Sequence, residues 1–268
     1  APRVEGADDW PCFRGPTGMG AVKDDPRLPD HWSKTENVRW VAEVPGWGWS
    51  SPIVSGGKVF LTTAVGEKEY EKPKKGLYEG MGRAKPPEGV HHWVVYCLDL
   101  DSGRICWKHE AHQGQPQVPR HPKNSYASET PVTDGQRVYA LFGDVGLYCY
   151  DFEGKQLWSH RIEPKKSLFN YGAAASPVIC GDLVIMVYDN QEDRYIAAFD
   201  ARTGEQRWRT ARPAQTVLGT RSTWATPFVW RNDQRTEIVT SDYRCIRSYD
   251  LSGNVLWKLE GPTSNLII

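Results

Sequence analysis

Short runs of alternating apolar and polar residues, separated by glycine-bearing turns, recur along this chain. In one stretch, "SETPVTDG" (128–135) reads as a strand closed by Asp134 and Gly135, "QRVYALFG" (136–143) as a second strand and "GLYCYD" (146–151) as a third. "FEG" (152–154) is a tight turn, and "KQLWSHR" (155–161) is a fourth strand. Period-two alternation marks a strand with one face buried. The pattern therefore predicts four-stranded antiparallel units whose strands are half-buried.

The unit repeats. Aligned on Trp107, Trp158, Trp208 and Trp257, the spacings are 51, 50 and 49 residues. Four residues before each Trp stands a glycine: Gly103, Gly154, Gly204 and Gly253. Seven or eight before it stands Asp99, Asp151, Asp200 or Asp250. A further mark lies upstream in each unit, at Ser51-Pro52, Thr130-Pro131, Ser176-Pro177 and Thr226-Pro227. A period of this length predicts a solenoid, propeller or array. Glycine supplies the positive φ of a short hairpin turn, the aspartate bonds the turn's free amides, and the Trp covers the sheet. Asp, Gly and Trp are therefore structural marks, not a catalytic triad. Four-stranded units repeated radially make a β-propeller, an all-β fold.

Composition fits a packed core: 39% of residues are hydrophobic and 25% charged, with 12 Trp to cover sheets. A formal net charge of zero excludes the basic excess of a nucleic-acid binder. No apolar run reaches the length of a membrane span. The six cysteines form no CxxC pair, so no metal site is expected from them. Cys97 and Cys106 flank a turn at numbers that fit a cross-strand pair; two small buried thiols is the other reading. Ala1 opens the chain, as in a mature processed protein and equally in a trimmed one.

"LDLDSGRICW" and "FDARTGEQRW" resemble the repeat of the PQQ-binding-like, quinoprotein and BamB-type β-propellers. "WPCFRGPTGMG" (10–20) followed by "ENVRWVAEVPGWGWSSP" (36–52) resembles an exported bacterial group of that family. The resemblance implies a ring of seven or eight blades, of which this chain would be an N-terminal portion. The expected layout is an extension at 1–35, an outer strand of a closing blade at 36–46 around Trp40, blades at 47–111, 124–162, 169–212 and 220–261, and the start of another at 262–268. It also implies an exported protein, periplasmic or associated with the cell envelope.

Function is expected on one face. The turns "SGGK", "TDGQ" and "CGDL" are short, whereas 66–92, 112–125, 163–171 and 211–223 are long, and all of these long segments fall on the same face. Loops on a rigid scaffold are where binding concentrates. The 66–92 segment reads either as a solvated insertion or as a lid or partner-binding arm. Candidates on this face are His91 and His92, then Arg120, His121, Lys123 and Asn124, where the cations and amide could receive an anion. The histidines show no HxH or HExxH spacing. Trp47, Trp49, Tyr126 and Trp224 stand at the starts of inner strands, either as a stacking platform for a flat ligand or as ordinary packing at the channel mouth. Glu129, Asn170 and Arg221 are the polar groups nearest them in register.

Two functional readings follow. The first is a non-catalytic binding or assembly scaffold, holding a protein partner or small ligand on the long-loop face, with no cofactor. The alternative is a quinoprotein oxidoreductase, in which the resemblance implies pyrroloquinoline quinone (PQQ) on a Trp floor beside Ca²⁺ held by Glu, Asn and Asp. The chain lacks the vicinal Cys-Cys pair of the alcohol-oxidising members and shows no run of Ca²⁺ ligands. A sugar-binding propeller built on Trp47 and Trp49 is a third reading, resting on those aromatics alone.

Overall fold

The computed structural model describes residues 9–24, 26, 28–68, 80–213 and 222–261. Valine, isoleucine, tyrosine and phenylalanine crowd the runs between turns, the composition that suits a pleated surface. The runs form four antiparallel sheets of four strands. The first comprises β1 (Ile53–Ser55), β2 (Lys58–Gly66), β3 (His91–Asp99) and β4 (Ile105–Gly114). The second comprises β5 (Val132–Thr133), β6 (Arg137–Phe142), β7 (Gly146–Asp151) and β8 (Gln156–Arg161). The third comprises β9 (Val178–Cys180), β10 (Leu183–Tyr188), β11 (Tyr195–Asp200) and β12 (Gln206–Ala211). The fourth comprises β13 (Phe228–Arg231), β14 (Thr236–Asp242), β15 (Cys245–Tyr249) and β16 (Val255–Glu260). Within each sheet the strands lie side by side in chain order, and the first strands touch in succession, β1 with β5, β5 with β9 and β9 with β13. Sheets fanned about their first strands are propeller blades.

The half-buried expectation holds only for outer strands such as β8 and β12. The middle strands are buried on both faces. Val138, Ala140 and Phe142 of β6 join the core shared with the first sheet, through Phe60, Trp93 and Val95. Tyr139 and Leu141 of the same strand join the core shared with the third, through Val184, Met186 and Phe199. Period two thus sorts side chains between two cores rather than between core and water. A third core joins the third and fourth sheets through Ile185, Ile196, Ile238 and Tyr249.

Each outer hairpin turn is built alike. Asp151 Oδ1 accepts from the amides of Glu153 and Lys155, and Asp200 Oδ1 from those of Arg202 and Thr203. A register shift follows in every sheet, setting Trp107 opposite Cys97 and Trp158 opposite Cys149. Of the two cysteine readings, the cross-strand pair is not formed, and the buried free thiol holds for Cys97 but not for Cys106. Cys106 is the extra residue of its bulge and is exposed, Cys97 is buried, and both thiols are free.

Residues 36–46 carry no strand pairing, yet Trp40, Ala42 and Val44 cover the outer face of the first sheet. Segment 10–20 crosses the inner strands: Trp10 pairs with Val54 at 2.8 and 2.9 Å, and Pro11 accepts from the Thr133 amide at 2.9 Å. Residues 262–268, expected to start another blade, lie outside the described residues.

Candidate functional site

In a sheet ordered from inner to outer strand, the β2–β3 link and the links between sheets leave from one end. These are the long segments, and their backbones are joined to one another. The Gly82 amide donates to the Phe169 carbonyl at 2.7 Å, and the Arg83 amide to the Arg120 carbonyl at 3.1 Å. Asn170 Nδ2 donates to the Arg83 carbonyl at 3.0 Å. Asn124 Nδ2 donates to the Tyr171 carbonyl at 2.7 Å. Two indoles complete the weave: Trp49 Nε1 donates to the Lys123 carbonyl and Trp224 Nε1 to the Gly172 carbonyl, each at 2.6 Å. Segments from three inter-blade boundaries form one platform.

Several residues expected to receive a ligand are instead engaged in this weave. Arg120 is buried under Tyr126, its guanidinium carbon 5.1 Å from the ring centre, and donates to the carbonyls of His121 and Asn124. A cation tied to backbone oxygens and covered by a ring is not offered to an incoming anion. His121 accepts at Nδ1 from the Lys123 amide at 3.1 Å, which leaves Nε2–H to donate to the Gly80 carbonyl at 3.1 Å. Burial pushes its pKa down, so it is a neutral tie between loops. Asn124 Oδ1 accepts from the Ser125 amide at 2.9 Å and from the Ser128 hydroxyl.

The other histidines diverge. Neighbours on a strand point to opposite faces. His91 is therefore buried, 5.7 Å from the Tyr126 ring, while His92 turns outward to Glu110 at 2.6 Å. Trp47 pairs with Ala64 and so extends the first sheet. Glu129 lies inside, accepting from the amides of Ser128 at 3.2 Å and Gly143 at 3.0 Å, and burial pushes its carboxyl up to about 7. Arg221 lies outside the described residues, as do 69–79 of the 66–92 segment.

The platform exposes three large apolar side chains: Met81 at 63%, Trp49 at 53% and Phe169 at 47%. Phe169 and Asn170 both hold left-handed backbone, at φ 52° and 56°. Such a conformation in non-glycine residues is costly and persists where surroundings impose it. Here the imposing contacts are the bonds to Gly82 and Arg83. Behind Phe169, Tyr171 lies 5.7 Å from it, 5.5 Å from Trp224 and 5.0 Å from His121. Sequence reasoning missed Met81, Phe169 and Tyr171. Their only signal was an apolar or aromatic residue within a long polar segment.

The residues present do not fit a calcium-bound quinone. Glu129 is turned to backbone amides, Asn170 and Asn124 to backbone carbonyls, and no cluster of three potential metal ligands occurs among the described residues.

No described helix is long and apolar enough to cross a membrane. No curated protein matches the chain. Among solved structures, it is similar to quinohemoprotein alcohol dehydrogenase from Comamonas testosteroni, at 15% identity and TM-score 0.58 over 94% of this chain and 41% of that one. It is similar to quinohemoprotein alcohol dehydrogenase ADHIIG from Pseudomonas putida HK5, at 16% identity and TM-score 0.52 over 82% of this chain and 35% of that one. BamB from Moraxella catarrhalis aligns at 14% identity and TM-score 0.46, over 84% of this chain and 69% of that one. The two dehydrogenase likenesses speak for the propeller fold alone. A family model described as outer membrane protein assembly factor BamB matches residues 91–265. Since that match spans more than half of the 268 residues, the chain belongs to this family of propeller-repeat proteins.

Proposed function

We propose that the chain is a protein-docking scaffold of the cell envelope and that the long-loop platform is its recognition surface. One observation carries the reading: Phe169, Met81 and Trp49 are exposed on loops locked together by backbone hydrogen bonds. A rigid surface with apolar anchors binds a partner without a large ordering cost. Family membership supports the same reading, since the matching model is described as an assembly factor. The compartment would be exported, as expected for that family. The quinoprotein reading is weaker here because the polar groups it would use are engaged with backbone.

The test is site-specific photo-crosslinking in envelope extracts, with the probe at position 169 and, as control, at exposed Leu251 on the opposite face. A discrete adduct is expected from 169 only, and Met81→Asp should reduce it. Equal labelling from both positions, or none from 169, would sink the reading. Saturable binding of PQQ with Ca²⁺ would move the balance to the quinoprotein alternative.

A further inference from the structure

A cleft of about 270 Å³ lies beside the platform, between the first and second sheets. Its walls come from the ends of β3, β4, β7 and β8 and from the segment after β4. Gly146 faces Arg161 across the β7–β8 pair, so the absence of a side chain at 146 leaves space beside the guanidinium. A Cβ there would meet the His160 carbonyl oxygen at 2.7 Å and the Tyr148 ring at 3.2 Å.

Arg161 is the cation of this cleft. Its guanidinium takes part in no hydrogen bond or ion pair among the described residues. The Tyr148 hydroxyl, on the same face of the second sheet, also has no hydrogen-bond partner among them. His112 lies on the opposite wall, and burial together with the charge of Arg161 pushes its pKa down, so it is neutral. Asp144 is the one carboxyl among the lining residues. Burial, and then the neighbouring Glu129, push it up to about 8, which keeps it largely protonated at neutral pH. The rest of the wall is mixed: Val118, Val145, Ile162 and Trp93 are buried along it, and Gln115, Gln117 and Ser159 add neutral polar groups. Val118 is held in place by the Tyr126 hydroxyl, which donates to its carbonyl at 2.8 Å.

An unpaired guanidinium beside a free hydroxyl, with buried Val118, Val145 and Ile162 on the same cleft, offers a ligand one charged contact and one apolar contact. Guanidinium matches a planar carboxylate with two parallel hydrogen bonds. We propose that this cleft binds a small organic carboxylate with an aromatic or apolar body, its carboxylate on Arg161 and Tyr148 and its body against Val118, Val145 and Ile162. The site is independent of the scaffold reading and uses none of the exposed anchors of the platform.

Isothermal titration of the whole chain with benzoate tests this, with benzyl alcohol and inorganic phosphate as comparison probes. Benzoate should bind saturably, and benzyl alcohol at least about tenfold more weakly, since a charged hydrogen bond is the stronger kind. Arg161→Gln should weaken benzoate by at least about tenfold, and Tyr148→Phe by a few-fold. Arg161 is exposed at the end of an outer strand, so its substitution should leave the thermal melt unchanged. The absence of saturable benzoate binding overturns the proposal, as does equal affinity in Arg161→Gln. Phosphate binding as tightly as benzoate overturns the carboxylate assignment.

Discussion

The backbone amide of Thr130 donates a hydrogen bond to the hydroxyl of Ser176 at 3.0 Å, across the boundary between the second and third sheets. The relation repeats around the fan. The Ser51 amide donates to Thr130 Oγ1 at 3.0 Å, and the Ser176 amide to Thr226 Oγ1 at 3.1 Å. Each of these residues precedes a proline, which holds the preceding backbone extended and so fixes the direction of the amide. Thr130→Val preserves shape but removes the acceptor for Ser51. We expect a loss of about 1–3 kcal/mol, the cost of an unsatisfied buried donor. Ser176→Ala should cost a similar amount, and urea unfolding measures both. A loss indistinguishable from zero in both variants would mean that water replaces the hydroxyl.

The indoles make the second set of joints. Trp40 Nε1 donates to the Leu100 carbonyl, Trp107 to Phe152, Trp158 to Ala201 and Trp208 to Leu251, at 2.8 to 3.1 Å. Each ring covers the turn glycine of the following sheet. At Gly204, with φ +74°, an added Cβ would lie 2.5 Å from the Trp158 ring. Gly204→Ala should therefore destabilise by more than the roughly 1 kcal/mol typical of a positive-φ site, because the clash adds to the strain. Trp158→Ala should cost about 3–5 kcal/mol. Trp257 instead donates to Glu237 of its own sheet at 2.6 Å. Trp257→Ala in this chain should cost clearly less than Trp158→Ala, and equal losses would refute the jointing role.

Much of the fold was legible because the marks serve turns, and turns are local. Asp151 and Gly154 meet within four residues, so their spacing carries their geometry. What Trp158 covers was not legible, since Gly204 belongs to the next repeat. The burial of β6 on both faces was missed for a related reason: alternation looks the same whether the second face meets water or another sheet. At the site, loop length pointed to the platform face. The fates of Arg120 and Asn124 depend on carbonyls supplied by neighbouring loop backbone, which no residue pattern announces. Phe169 was hidden because a left-handed pair that exposes an aromatic ring has no signature when neither residue is glycine.

A buried ion cluster joins the third and fourth sheets and had no sequence signal. Arg212, fully buried, donates from Nε to Asp189 Oδ1 and from Nη2 to Asp189 Oδ2, both at 3.1 Å. Arg194 reaches Asp189 at 3.0 Å and Asp242 at 3.3 Å, and Arg247 bonds Asp242. Burial alone would raise the Asp189 carboxyl, but Arg212 and Arg194 outweigh it and hold it below the usual range. Its contribution is present above the unfolded carboxylate pKa of about 3.9 and is lost as pH falls through the lower folded value. Asp189→Asn leaves buried arginine charge poorly compensated and should cost about 3–5 kcal/mol at neutral pH. The deficit should shrink in strong acid, where wild type loses the same charge. Urea midpoints across an acid series measure this, and a deficit constant with pH would contradict it.

Glu129 and Asp144 respond to pH in the opposite sense. Both folded carboxyls lie above their unfolded values, Glu129 at about 7 and Asp144 at about 8, through burial. Between about pH 4.5 and these values the unfolded chain has released protons that the folded chain still holds, so stability falls as pH rises. Above the folded values the loss is complete and constant. For Glu129 alone the full loss is about 3 kcal/mol, from a rise of roughly two and a half pH units at 1.36 kcal/mol each. The two groups interact, so the protons leave as a coupled pair and the slope belongs to both. Glu129→Gln keeps an oxygen for the Gly143 amide but has no proton to lose. Its stability should vary less than that of wild type between about pH 5 and pH 8, and at the upper end it should exceed wild type. Adding Asp144→Asn should flatten the profile further. Urea midpoints for the wild type and both variants over this range decide the matter, and parallel profiles would mean that neither carboxyl is held protonated in the fold.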